Sequence, residues 1–354
     1  VTVRGFGPEY NLVTLNGRQM PTHSATRRSF DFGDLASEGI SAVVVHKTGN
    51  AAAATGGVGS NINIITTKPL EAGKIATFGA KMAMDTSTET GDDVTPELSG
   101  IYSNTFANDT FGIAVSGSYQ KRDNAVNTGT TGDFNGFQGT HNGWGSIPDN
   151  AAQINRPGAS DIFVVPQSIG YELAEFSRER INGQLTLQWA PTENITGTVD
   201  YTFSEVESER TFNNYSAWFN YGDLSTQFSD GPIASPIIFS EASSANDFAM
   251  AACKDGTKTE NSSVGINLEW RVNDRLAFEF DAHSSSAESG PIGNNGTASQ
   301  LAIASFTRAR TTATFNGDLP ILSLDLARPL NANDMIVTGS VFDTKKTEME
   351  IDQV

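Results

Sequence analysis

The stretch TGGVGSNINIITTKP, residues 55–69, has two readings that lead to different folds. Gly56, Gly57 and Gly59 open onto a run in which Asn and Ile alternate, and Lys68-Pro69 ends it. As a phosphate-cradling loop it would belong to a nucleotide-binding domain. The spacing matches neither G-x-G-x-x-G nor the P-loop pattern, and no Lys-Ser/Thr pair follows the glycines. The better account is structural. Glycines let the backbone turn where a side chain would clash. Residues 61–67 then run as a strand of mostly alternating polarity, and Pro69 marks the passage from one unit of the chain to the next.

The sequence differs on the two sides of that passage. Residues 1–70 carry short apolar strands (NLVTLNG, SAVVVHK, SNINIITT) and two stretches of helical character (FGDLASEG, AAAATGG), which together describe a small α+β unit. Beyond residue 70 the pattern becomes two-residue alternation. Phe111, Ile113, Val115 and Tyr119 share one face, and Gly112, Ala114, Ser116 and Ser118 the other. Leu185, Leu187 and Trp189, then Ile195, Val199, Tyr201 and Phe203, then Val264, Ile266, Leu268 and Trp270, then Leu276, Phe278 and Phe280 repeat the scheme against polar partners. Successive side chains on a strand point to opposite faces, so each segment has one apolar side and one wet side. We expect Leu185, Trp189, Val199, Tyr201, Leu268, Trp270, Phe278 and Phe280 on an outer, lipid-facing side.

The connections are patterned too. FANDTF, APTENI and RVNDRL join pairs of strands through tight turns. Between the pairs lie long polar stretches, roughly 123–178 and 204–262. A compact soluble domain rarely tolerates structureless loops of that length. A transmembrane β-barrel has short turns on one side and long loops on the other. Trp189 and Trp270 both fall just before a short turn, where an interfacial aromatic girdle would sit. A soluble β-sandwich or β-solenoid also alternates and remains the competing architecture.

Bulk composition agrees with this. The chain has 354 residues with 23 Lys+Arg against 41 Asp+Glu, a formal charge of −18, which argues against a nucleic-acid partner. Only 38% of residues are apolar and there is no apolar run long enough for a membrane helix. A mean hydropathy of −0.29 is still compatible with a barrel, whose strands need only one apolar face. The single cysteine, Cys253, forms no internal disulfide. The chain opens VTVRGFGPEY and closes TKKTEMEIDQV, which reads as an excerpt of a longer protein.

VTVRGFGPEYNLVTLNGRQMPT, followed by ISAVVVHKTGNAAAATGGVGSNINIITTKP, resembles the plug domain of TonB-dependent outer-membrane receptors. The resemblance rests on Arg4 and Gly5, on Asn16, Gly17 and Arg18, and on the closing GGVGSNINIITTKP. LQWAPTENITGTVDYTFSE and LEWRVNDRLAFEFDAHSSSAES look like barrel hairpins of the same family. Details such as SFDFGDLASEGIS most resemble a subgroup associated with carbohydrate uptake. The expected fold is mainly β: an incomplete antiparallel transmembrane β-barrel, an arc of about seven to nine strands over 71–354, with the C-terminal part of a small α+β plug domain over 1–70. Such receptors carry a TonB box, an earlier half of the plug and a barrel of about 22 strands. The resemblance implies energy-coupled uptake across the outer membrane of a Gram-negative bacterium. The implied partners are TonB, outer-membrane lipid and a small-molecule ligand. An oligosaccharide or similar glycan product is expected, with a ferric siderophore as the main alternative and a non-transporting outer-membrane protein such as an adhesin as another.

Candidate binding residues follow. In similar receptors the loop after NLVTLNG reaches the plug apex, which brings forward His23, Arg27 and Arg28. Arg donates paired hydrogen bonds to carboxylate, phosphate or sugar hydroxyls. Ion pairing to an acidic inner wall is the competing role. Two polar loops carry aromatics, with Phe137, His141 and Trp144 in one and Tyr215 and Trp218 in the other. Aromatic faces beside Asn, Gln and Asp suit sugar rings, and loop packing or an upper girdle suits them equally. No convergent catalytic set is visible, so no enzyme is expected. His23, His46, His141 and His283 are scattered, no metal-ligand spacing stands out, and no cofactor is expected. The acidic loops, including Gly91-Asp92-Asp93, could hold Ca²⁺ but lack the EF-hand pattern. Glu269, Glu279 and Asp281, on the wet strand face, need no role beyond lining a solvated lumen.

Overall fold

The computed structural model describes residues 2–24, 37–49, 54 and 56–354. The described residues form two sheets. The smaller contains β1 (Asn11–Leu15), β2 (Arg18–Gln19), β3 (Ile40–His46) and β4 (Ser60–Thr66), in the order β2-β1-β4-β3. β4 is its central strand, parallel to β1 and antiparallel to β3. The Asn/Ile alternation now has a cause. Ile62 and Ile64 bury into a core with Val13, Leu15 and Met20. Asn61 and Asn63 face the other way, and their Oδ1 atoms accept from Thr14 Oγ1 at 3.2 and 3.1 Å. The glycines ahead of β4 are steric. A Cβ on Gly57 would lie 2.1 Å from the Ser60 carbonyl oxygen and 2.8 Å from the Leu12 nitrogen. Asn16 and Gly17 both take positive φ, as a tight β1–β2 turn requires. Of the two stretches of expected helical character, only Ser37–Gly39 of the first is helical among the described residues, as a 3₁₀ turn. The second lies mostly outside them.

A short helix, α1 (Pro69–Ala72), leads into the larger sheet. Its strands are β5 (Ile75–Met84), β6 (Val94–Phe106), β7 (Phe111–Gln138), β8 (Gln153–Ile154), β9 (Ile162–Thr192), β10 (Ile195–Trp218), β11 (Asp223–Phe228), β12 (Ile233–Ala234), β13 (Pro236–Asn273), β14 (Leu276–Pro291), β15 (Ala298–Thr314), β16 (Ile321–Leu326), β17 (Ile336–Asp343) and β18 (Thr347–Gln353). β10 and β11 run on as one pass beside β13, as do β14 and β15 on its other side. β16, β17 and β18 together form the next pass. The result is an antiparallel meander in which each pass pairs with the one before it. The sheet is open, with β5 at one edge, and does not close on itself.

The polarity of this sheet is inverted relative to a soluble protein. Trp189, Val199, Tyr201, Leu268, Trp270, Phe278 and Phe280 are exposed and Leu185 half-exposed, all on one face. Thr186, Gln188, Thr198, Asp200, Thr202, Ser204, Ser263 and Ser285 are buried on the other. The exposed face changes character at one height. On β13 it runs apolar from Trp270 to Val264 and turns charged at Glu260 and Lys258. On β9 and β10 it turns charged at Glu179 and Glu205, and Glu179 is level with Glu207 and Lys258. Trp270 to Glu260 is the length of strand, about ten residues, that crosses a bilayer at a tilt. Phe106, Phe111, Trp189, Trp270 and Phe278 gather at the short-turn end.

The long polar stretches are not loops, contrary to the sequence expectation. β7 runs to Gln138, β9 begins at Ile162 and β10 continues to Trp218, so the strands project well beyond the apolar belt. On β7 and β10, polar side chains on both faces hide this from a hydropathy pattern. The residues that do connect them fold onto a second core of Ile147, Phe163, Val165, Ile169, Phe219, Leu224, Phe228 and Phe239.

Candidate functional site

Among the described residues, the contact between the two sheets centres on the Arg18 side chain. Arg18 is the first residue of β2, and the tight Asn16-Gly17 turn sets it directly across from Leu15. Its Nη1 donates to both carboxylate oxygens of Asp200 at 2.7 Å. Its Nε and Nη2 donate to Asp281 Oδ1 and Oδ2, both at 2.8 Å. Asp200 stands on β10 and Asp281 on β14, with β13 between them. The Arg18 side chain is 5% exposed, so one buried cation lies between two carboxylates. Burial alone would lower the Arg18 pKa, but the hydrogen bonds and charges of Asp281 and Asp200 outweigh it and the pKa is raised. Asp281 therefore does more than line a wet face. His283 Nε2 adds a contact to the Gln19 carbonyl at 3.2 Å, and the Gln188 side chain accepts from the Leu70 N–H of α1 at 3.0 Å. A cavity of about 150 Å³ beside Arg18 is lined by Asn16, Asn63 and Lys68 of the small-sheet side and Thr186, Glu269 and Glu279 of the wall.

Gly265 makes the arrangement possible. It lies on β13 between the two aspartates, where a Cβ would fall 1.8 Å from Arg18 Nη1. Gly265→Ala is expected to push the guanidinium out of at least one carboxylate and to weaken the contact between the sheets by about 1–3 kcal/mol. Hydrogen exchange at β1 and β4 amides, compared with wild type, checks this.

The outer aromatics divide between packing and exposure. Phe137 stacks on His141 with ring centroids 4.2 Å apart, and His141 Nε2 lies 2.8 Å from the Trp144 carbonyl oxygen. Trp144 sets its ring edge-on to Tyr221 at 4.6 Å and remains 56% exposed. Tyr215 faces away from Asp200 and packs on Tyr171 and Phe248 at 5.1 and 6.1 Å. Trp218 shares the inner face with Asp200, 52% exposed, and its carbonyl accepts from the buried Arg308 at 2.8 Å. Phe137, His141 and Trp144 are thus brought together, while Tyr215 and Trp218 lie on opposite faces of β10.

Residues 1–61 match the TonB-dependent Receptor Plug Domain. The matched region contains Arg18, β1, β2 and β3, and reaches only Ser60 and Asn61 of β4. No curated protein matches the chain by sequence. Among solved structures, the siderophore receptor PiuA from Acinetobacter baumannii is similar at 11% identity with a TM-score of 0.26, over 98% of this chain and 62% of that one. The ferric citrate transporter FecA in its unliganded form is similar at 9% identity and a TM-score of 0.26, over 97% and 50%. The siderophore receptor PirA from Acinetobacter baumannii is similar at 11% identity and a TM-score of 0.25, over 89% and 52%. TM-scores this low identify neither a cargo nor a mechanism. The chain spans about half to three-fifths of the length of these receptors.

Within the plug-like unit, His23 is half-buried just past β2. Arg27 and Arg28 lie outside the described residues. Among the described residues, Arg18 makes an ion pair to the larger sheet. Its partners are 182 and 263 residues away in the chain. The one signal available in the sequence was that Asp200 and Asp281 fall on the wet face of their strands. Asp92, weighed as a Ca²⁺ ligand, instead forms an ion pair with Lys121 at 2.6 Å.

Proposed function

We propose that this chain is the plug-to-barrel portion of an outer-membrane receptor that imports a small polar nutrient with energy delivered through TonB. Residues 1–70 would occlude the lumen, and the arc over 71–354 would form part of a barrel wall completed by further strands. The observation that carries the reading is a plug-like sheet fastened by Arg18 to the polar face of a sheet whose other face is apolar over one membrane thickness. In lipid, backbone groups at an open sheet edge need partners, which supports closure by more strands. The chain's own residues would hold the plug in place, and force on the plug would have to break the Arg18 contacts before a path opened. On this reading the protein is a transporter and not an enzyme. Uptake by the full-length receptor in an outer membrane, with and without TonB, tests it. Uptake that does not depend on TonB would overturn it.

An oligosaccharide is the cargo we favour. Trp144 and Trp218 remain exposed, with Asn142 and Asn220 two residues away in sequence, a pairing that suits a sugar's C–H face and hydroxyls. Phe137 and His141 would support Trp144 from below, with His23, Arg27 and Arg28 at the plug apex completing the site and Tyr215 acting through packing. Trp144→Ala is expected to weaken oligosaccharide binding about 3–10-fold while leaving the fold intact, as read by titration calorimetry. A ferric siderophore is the competing cargo. Its uptake, with binding indifferent to Trp144→Ala, would replace the sugar.

A further inference from the structure

We propose that the wall above the plug selects an anionic cargo, through a row of inward-facing arginines centred on Arg178. The proposal rests on the receptor reading above and adds the charge class of what is carried. The sequence SRERING, residues 177–183, alternates so that Glu179 faces out while Arg178 and Arg180 face in. The inner face is fixed by Asp200, which holds the plug's Arg18 and pairs with Thr186 on β9. The β9–β10 register is unbroken from Gly197 to Trp218, so Arg178 and Arg180 share that face with Arg210. On the other side β7 brings Arg122 directly opposite Arg178.

Two like charges directly across an antiparallel ladder repel. They are tolerated where an anion sits between them. Neighbouring acids answer only part of this charge. Arg122 donates to Glu97 Oε2 at 2.7 Å. Arg210 pairs with Glu172 and, at 3.4 Å, with Asp255, and lies 3.8 Å over the Phe212 ring. Arg178 is exposed and makes no ion pair among the described residues. In a chain of net charge −18, an exposed inward-facing arginine without an acid is out of keeping with its surroundings. The guanidinium fork matches carboxylate oxygens, and Arg210, held flat on an aromatic ring, is already oriented to help. The row lies between the plug and Trp218, on the route a cargo would follow inward. Two kinds of cargo share this chemistry, an acidic oligosaccharide and a carboxylate-rich metal chelate.

The test uses the full-length receptor in detergent. Binding of trigalacturonate, ferric citrate and neutral galactotriose is measured at two salt concentrations, for wild type, Arg178→Gln and Arg178→Lys. At least one acidic probe should bind at least about tenfold more tightly than galactotriose. Arg178→Gln should abolish most of that preference, Arg178→Lys should keep part of it, and added salt should shrink it. Which acidic probe wins tells sugar from chelate. If neither acidic probe binds better than galactotriose, or if Arg178→Gln leaves the preference unchanged, the inference fails. TonB-dependent uptake of galactotriose alone would leave the receptor reading standing while overturning this one. An acid preference without TonB-dependent uptake would do the reverse.

Discussion

Arg18→Met is expected to loosen the small sheet from the larger one by about 3–5 kcal/mol. Methionine fills a similar volume, so the loss comes from charge and not from a cavity. The substitution leaves Asp200 and Asp281, once joined by one cation, facing each other with no counter-charge. Removing one partner of a buried ion pair costs more than removing the whole set, because it leaves uncompensated charge out of water. The triple variant Arg18→Met, Asp200→Asn, Asp281→Asn should therefore recover much of the loss. Arg18→Lys should recover little, since a single ammonium cannot fork to both carboxylates. Hydrogen exchange at Leu12–Leu15 and Asn61–Ile64 reports the docking, and passive conductance of the full receptor in planar bilayers reports the leak. Equal protection in Arg18→Met and wild type would mean that other contacts hold the plug and that the clamp is incidental.

Ile266→Arg is expected to impair insertion into bilayers by about 2–4 kcal/mol. Ile266 lies midway between the Trp270 girdle and the charged rim at Glu260, on the exposed face of β13. A guanidinium there would sit near the bilayer midplane. The same change at Ser262, on the same face close to the rim, should cost about 0–1 kcal/mol. The contrast between the two positions is what matters, because a general effect of arginine on the sheet would strike both alike. Folding yields into short-chain phosphatidylcholine vesicles measure it. If the two variants fold equally well, the belt is not buried in lipid and the inverted polarity needs another explanation.

The architecture was legible wherever one face of a strand is apolar. Period-two alternation marked the belt segments of β7, β9, β10, β13 and β14, and FANDTF, APTENI and RVNDRL marked their turns. The same logic failed above the belt. There β7 and β10 carry polar residues on both faces, Asn127 and Thr128 or Glu207 and Ser208 for example, and the apolar residues of β9, such as Val165 and Ile169, serve the second core rather than the belt, so the belt's polarity pattern does not separate strand from loop. The candidate site was less legible still. Phe137, His141 and Trp144 are close in sequence and do come together, but the partner that props up Trp144 is Tyr221, on another connection. Tyr215 and Trp218 look alike in a sequence, yet three residues along a strand puts them on opposite faces. Arg18 was quoted as part of a motif, but its partners lie on strands that a linear reading cannot bring beside it.

The chain distance spanned by Arg18 also sets a timetable. The meander can be laid down pass by pass, since each pass pairs with its predecessor. The small sheet at the amino terminus can pair within its own first segments. Fastening it to Asp281 closes a loop of 263 residues and cannot precede the arrival of β14. The small sheet is made before the larger one yet secured after it, and a small sheet already locked in place is a certificate that the sheet behind it has been built as far as β14.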